Sequence, residues 1–169
     1  MLGGACVIWL TGLSGAGKTT IARAVVELLQ AQERHVELLD GDQLRDIMPT
    51  GFSREEREAH VRRVGFFAGR LEHHGVTSVA SLISPYRASR EYVRGRCRRF
   101  VEVYVSTPLS VCEGRDVKGL YARARAGQLS GFTGIDDPYE APLEPELTID
   151  TSRVSLADAA RSVVELAFG

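Results

Sequence analysis

Apolar positions along this chain alternate between short β-like runs and stretches that repeat at helical spacing. Cys6-Val7-Ile8-Trp9-Leu10-Thr11 is continuous, apolar and partly β-branched, the pattern of a strand buried on both faces of a parallel sheet. From Thr19 to Gln30 the apolar positions are Ile21, Ala24, Val25, Leu28 and Leu29, which predicts a helix. His35 to Asp40 reads as a second strand, followed by a short helix over Gln43 to Met48 that Pro49-Thr50-Gly51 breaks. Ser53 and Glu56 form a capping box that opens a long helix, stopped near His74 by Gly75. Its predicted packed face is Val61, Val64, Phe67, Ala68 and Leu71.

Val76 to Ile83 is a third strand, and Pro85 fits the first turn of the next helix with Ser84 as its N-cap. That helix continues from Arg87 to Cys97. Phe100 to Val105 is a fourth strand, and Pro108 opens a short helix to about Glu113. The stretch from about 115 to 145 is rich in Gly, Asp, Pro and charge and reads as a mobile cover over a site. Glu146 to Asp150 is a last strand. Val154 to Phe168 closes the chain as a helix with Leu156, Ala159, Ala160, Val163 and Ala167 packed. Strands alternating with helices predict an α/β, three-layer fold with a mostly parallel five-stranded sheet.

Bulk numbers narrow the picture. The 169 residues suit one domain over 1–169. A net charge of −1 supplies no basic field for nucleic acid or a membrane surface. Three cysteines without metal-ligand spacing, and no signal-like apolar segment, predict a protein of the reducing cytoplasm.

Between the first strand and the first helix lies Gly12-Leu13-Ser14-Gly15-Ala16-Gly17-Lys18-Thr19, which fits the phosphate-binding loop G-x-x-x-x-G-K-[ST] in its required strand–loop–helix context. Glycines let the backbone wrap a phosphate, the helix N-terminus offers N–H donors, Lys18 reaches outer phosphates and the Thr19 hydroxyl ligates Mg²⁺. A nucleoside triphosphate is the predicted ligand. Asp40 and Asp42 flank Gly41 at the end of the second strand, where such sheets bind ligands. They suit Mg²⁺ and proton acceptance, or simply a helix N-cap by Asp42. Arg54, Arg57, Arg62 and Arg63, with His60 among them, read from pattern alone as a solvated helix face.

Gly12 to Thr20 together with Leu39-Asp40-Gly41-Asp42 resembles adenylyl-sulfate kinase. The resemblance continues through Gly51-Phe52-Ser53, Arg62-Arg63 and Ile83-Ser84-Pro85-Tyr86. It is strongest in Arg115 to Tyr121 and in Gly131-Phe132-Thr133-Gly134-Ile135-Asp136-Asp137-Pro138-Tyr139-Glu140. Such a family implies a P-loop NTPase fold with a mobile lid. It also implies transfer of the γ-phosphate of MgATP to the 3′-hydroxyl of adenosine 5′-phosphosulfate (APS), giving 3′-phosphoadenosine 5′-phosphosulfate and ADP in sulfate assimilation.

By this resemblance, Gly12, Leu13, Ser14, Gly15, Ala16, Gly17, Lys18, Thr19 and Thr20 bind ATP, and Thr19 and Asp40 serve the metal. Lys18, Asp40, Asp42, Ser84 and Lys118 form the catalytic set. Arg45 and Arg57 are implied for the phosphosulfate, and Phe52 and Phe132 for the adenine. Ile83, Gly131 and the lid lysine Lys118 complete the acceptor side, and homodimers are common in the family. Ser84 matches a phosphoserine position, yet it has no sequence-adjacent base, so a positioning or capping role is the expectation. The chain carries His60 where most members of the family have asparagine, and Gln43 where asparagine is usual. A same-fold kinase for another hydroxyl-bearing nucleotide or metabolite is the second reading. A third is a binding module without turnover, against which the retained acids, Lys18 and Lys118 argue.

Overall fold

The N-terminal apolar run becomes the middle strand of a sheet because both its faces are apolar. In the computed structural model, which describes residues 4–169, β1 (Val7–Thr11) is buried throughout. Successive side chains of a strand point to opposite faces. Cys6, Ile8 and Leu10 therefore enter one core with α1 (Lys18–Ala31) and α7 (Leu156–Phe168). Val7 and Trp9 enter a second core with α3 (Arg54–His73) and α4 (Arg87–Arg94).

Five parallel strands run in the order β2 (Val36–Asp40), β3 (Thr77–Ser81), β1, β4 (Phe100–Val105), β5 (Leu147–Ile149). The remaining helices are α2 (Gly41–Ile47), α5 (Leu109–Arg115) and α6 (Leu120–Arg125). A parallel sheet covered by helices on both faces is the expected α/β architecture. Positions 1–3 of the expected 1–169 domain lie outside the described residues. Among the described residues, no helix is long and apolar enough to cross a membrane.

The capping box is present in both halves: Ser53 Oγ accepts from Glu56 N at 3.2 Å, and Glu56 Oε2 accepts from Ser53 N at 3.1 Å. Several expectations are corrected. The short second helix begins at Gly41, and Asp40 rather than Asp42 caps it, accepting from Asp42 N at 2.9 Å. Phe67 is 47% exposed and Leu156 45% exposed, so neither belongs to a packed face. On α3 the buried stripe includes Arg57, His60 and Glu72 beside Val61, Val64 and Ala68, so Arg57 and His60 are not on a solvated face. Ser84 does not cap a helix; α4 starts at Arg87, three residues later, with Tyr86 at its N-cap. The reason lies in the second core, where the buried Trp9 indole needs a hydrogen-bond acceptor. Trp9 Nε1–H donates to Ser84 Oγ at 3.0 Å, and Ser84 adopts φ 41° to meet it. Finally, α6 lies inside the stretch expected to be irregular.

Candidate active site

The loop between β1 and α1 approaches β4 so closely that a Cβ on Gly12 would lie 2.4 Å from the Val105 carbonyl oxygen. Gly17, at φ 103°, is the residue from which α1 starts, a conformation that favours glycine. The loop's carbonyls are committed to the protein around it. Lys18 Nζ donates to Leu13 O at 2.8 Å, the Tyr121 hydroxyl to Ser14 O at 2.8 Å and Arg115 Nη1 to Gly15 O at 3.1 Å. Thr107 and Thr151 hydroxyls donate to Ala16 O at 3.0 and 2.8 Å. With its carbonyls held this way, the loop keeps the N–H groups at the α1 N-terminus for an anion. Burial pushes the Lys18 ammonium down from 10.5 to about 8.

Beside the loop, Thr19 Oγ1 and Ser81 Oγ lie 3.1 Å apart, and Asp40, register partner of Ser81, is buried next to them. These oxygens gather at the carboxyl ends of β2 and β3, where an open α/β sheet places ligands. Asp42, one residue into α2, is exposed and forms an ion pair with Lys118 from the 115–145 stretch.

Further out, Arg45 lies over the Phe52 ring at 5.1 Å and Arg57 over the same ring at 5.8 Å. Arg57 is 7% exposed. Its Nη1 donates to Thr133 Oγ1 at 2.5 Å and Asp137 Oδ2 at 3.0 Å, and its Nη2 to the Gly131 carbonyl. His60, one turn on, is 3% exposed. Neither of its ring nitrogens has a hydrogen-bond partner among the described residues. Burial, reinforced by the positive charges of Arg45 and Arg63, holds its pKa down at about 4, so the ring is neutral. Phe132 packs edge-on against Tyr121 with ring centroids 5.0 Å apart.

One cleft of about 730 Å³ joins these parts. Ser14, Gly15, Gly17, Lys18, Thr19, Thr20, Asp40 and Asp42 line it on the loop side. Arg45, Phe52, Arg57, His60, Ile83, Ser84, Lys118 and Phe132 line it on the other. Gly12 and Ala16 are buried behind it, Leu13 lies against Gly134, and Gly131 contributes its carbonyl to Arg57. Residue patterns gave no role to Tyr121, Thr107, Thr151, Thr133, Asp137 or Ser81. Each acts through a partner far away in sequence, which leaves no local spacing to read. Only the blocks 115–121 and 131–140, singled out by resemblance, pointed toward some of them.

A cleft of this size suits two small polar ligands in line, one at a phosphate loop and one at a cationic, aromatic-lined wall. The family model described as adenylylsulphate kinase matches residues 4–150. An adenylyl-sulfate kinase of Gloeothece citriformis is 52% identical over 159 residues, 93% of this chain and 90% of the relative. One from Microcystis aeruginosa is 52% identical over 158 residues, 92% and 87% of the two chains. Among solved structures, the Mycobacterium tuberculosis APS kinase CysC in complex with AMPPNP and APS aligns with a TM-score of 0.93. That alignment has 37% identity and covers 97% of this chain and 98% of the other.

Proposed function

The chain belongs to the adenylyl-sulfate kinase family of ATP-dependent kinases, and on that premise we propose how its cleft performs the reaction. The γ-phosphate of ATP passes to the 3′-hydroxyl of APS, giving 3′-phosphoadenosine 5′-phosphosulfate and ADP. The observation that carries this reading is the single cleft in which Lys18 and Thr19 face Asp42, Arg45, Arg57 and His60.

Phosphoryl transfer of this kind needs positioning and charge compensation more than covalent help from the protein. The loop N–H groups and Lys18 hold the β- and γ-phosphates at one end. Asp42 orients the acceptor hydroxyl and takes its proton as the new P–O bond forms and the bond to ADP breaks. Arg45, Arg57 and His60 hold the charged 5′ end of the acceptor, and Phe52 and Phe132 its base. The 115–145 segment acts as a lid: it carries Lys118 to the cleft and excludes water when closed.

Magnesium suits the donor set beside the loop, which is all oxygen: the Thr19 and Ser81 hydroxyls and the Asp40 carboxylate. Mg²⁺ is typically held by one or two carboxylates, several waters and substrate phosphates. Thr19 and Asp40 would hold it, and when bound it would neutralise charge on the β- and γ-oxygens.

Ser84 fits a structural role in this scheme better than a covalent one. It is 3% exposed, its hydroxyl already accepts from Trp9, and its carbonyl accepts from Arg90 Nη1 at 2.6 Å. Among the described residues, no His, Asp or Glu is hydrogen-bonded to Ser84 Oγ to take up its proton. Ser84→Ala is therefore expected to lower the rate modestly. Rapid quench of the wild type with γ-labelled ATP and no acceptor is expected to trap no phosphoenzyme. A stoichiometric, chemically competent phosphoserine at position 84 would reverse this assignment.

The unpartnered His60 ring is the one observation that favours a second reading, a kinase of the same fold for another hydroxyl-bearing nucleotide. A panel with γ-labelled ATP separates the two, comparing APS with AMP, adenosine and other sulfated or phosphorylated nucleotides. APS is expected to be the best acceptor by kcat/KM. A clear preference for another member of the panel would replace the first reading with the second, and no transfer to any would remove both.

A further inference from the structure

The acceptor side of the cleft is built from α3 and two segments remote from it in sequence, the turn at 84–87 and the loop at 131–140. One carboxylate ties all three together. Asp137 Oδ2 accepts from Arg57 Nη1 at 3.0 Å and from the Tyr86 hydroxyl at 2.9 Å. Around this node, Thr133 and Gly131 take further Arg57 donors, Glu140 N donates to Pro85 O at 2.8 Å and Arg90 Nη2 donates to Glu140 O at 2.6 Å.

An arginine has five N–H donors on a flexible stem, and which of them a ligand meets depends on what holds the others. Here Nη1 gives both of its N–H groups to Thr133 and Asp137, and Nη2 gives one to the Gly131 carbonyl. Nε is buried without a partner, and so are both nitrogens of His60 one turn further along α3. Among the described residues, those three atoms are the buried side-chain polar atoms of this wall that have no partner. A buried arginine without its carboxylate would also carry an uncompensated charge and would turn toward any other acceptor.

We propose that Asp137 is a positioning residue for the acceptor: by gripping Arg57 at Nη1 it fixes the guanidinium and the loop bearing Phe132 as one unit, leaving Nε–H and His60 to meet the ligand. The inference rests on APS being the acceptor. Losing the Asp137 carboxylate then weakens acceptor binding through Arg57 and leaves the phosphate loop in place, because among the described residues its side-chain hydrogen bonds go to Arg57 and Tyr86.

Steady-state kinetics with both substrates test this. Asp137→Ala is expected to raise KM for APS about tenfold, with KM for ATP and kcat within about twofold of wild type. Asp137→Asn, which keeps an oxygen acceptor, falls in between, and Tyr86→Phe raises KM for APS about threefold. Added to Arg57→Ala, Asp137→Ala changes KM for APS no further, because its effect runs through that side chain. If Asp137→Ala does not fold, Asp137→Asn and Tyr86→Phe carry the same comparison. A KM for APS that is unchanged or lower overturns the inference, as does an equal change for ATP or full additivity with Arg57→Ala. Wild type that turns over APS while these variants behave normally removes this inference alone. Wild type that does not turn over APS removes the acceptor assignment and the inference with it.

Discussion

Lys18→Ala is expected to lower kcat by at least about 10²- to 10³-fold and to leave the fold standing. Its ammonium lies in the cleft beside the loop that would wrap the β- and γ-phosphates, held for now by the Leu13 carbonyl at 2.8 Å. Charge would develop on the transferring phosphoryl in a cleft that the proposed lid closes off from water, where a positioned cation contributes more than it would in solvent. Removing such a group costs roughly 3–4 kcal/mol of transition-state stabilisation, about 10²- to 10³-fold in kcat, and more if it acts together with the metal. The fold does not need this charge. Burial already disfavours the ammonium, which is why its pKa falls to about 8.

The same shift gives the variant a second signature. The folded protein holds the Lys18 proton more weakly than the unfolded chain, so between about pH 8 and 10.5 the unfolded state binds more protons. Stability from this group therefore rises as pH increases across that window. ATP phosphates favour the charged amine, so binding above about pH 8 takes up a proton and ATP affinity falls as pH climbs. Calorimetry in buffers of different ionisation enthalpy reads that uptake, and Lys18→Ala should lose it. A correctly folded variant with near-normal kcat would remove Lys18 from the catalytic set.

Where the sequence was legible, the determinants were local. Cys6 to Thr11, the glycine loop and α1 each carry their own signal in neighbouring residues, as does the Ser53–Glu56 capping box. What stayed hidden depends on contacts across the fold. The donors holding the loop carbonyls come from far along the chain, Tyr121 being 107 positions from Ser14 and Thr151 135 positions from Ala16. Ser84 looked like a cap because Pro85 follows it, but Trp9, 75 positions away, claims its hydroxyl. Arg57 and His60 looked solvated because charge on a helix normally is. On α3, the stripe that faces the core also runs past the cleft, so polar residues there are buried against a ligand site instead of water. Periodicity shows which face of a helix is covered only when apolar residues do the covering.

That buried polar stripe makes the last expectation a sharp one, since it sets the acceptor against the donor within one cleft. Arg57→Ala removes the unpartnered Nε–H together with the three bonds that hold the 131–137 loop. A hydrogen bond to a charged group contributes roughly 1.5–3 kcal/mol, so APS binding is expected to weaken about ten- to a hundredfold. ATP affinity measured without acceptor should barely change, because on the proposed reading the phosphates bind at the loop, whereas the hydrogen bonds of Arg57 among the described residues go to the 131–137 segment. His60→Asn adds the complementary test. The ring is neutral, and an asparagine amide offers both a donor and an acceptor from one group, so APS turnover should be equal or improved if His60 serves APS. If the true acceptor is a different nucleotide, the same change should damage activity toward it while wild type handles APS poorly. Equal losses of ATP and APS affinity in Arg57→Ala would show that the two ends of the cleft are not separate sites at all, and the division of labour between the phosphate loop and α3 would have to be abandoned.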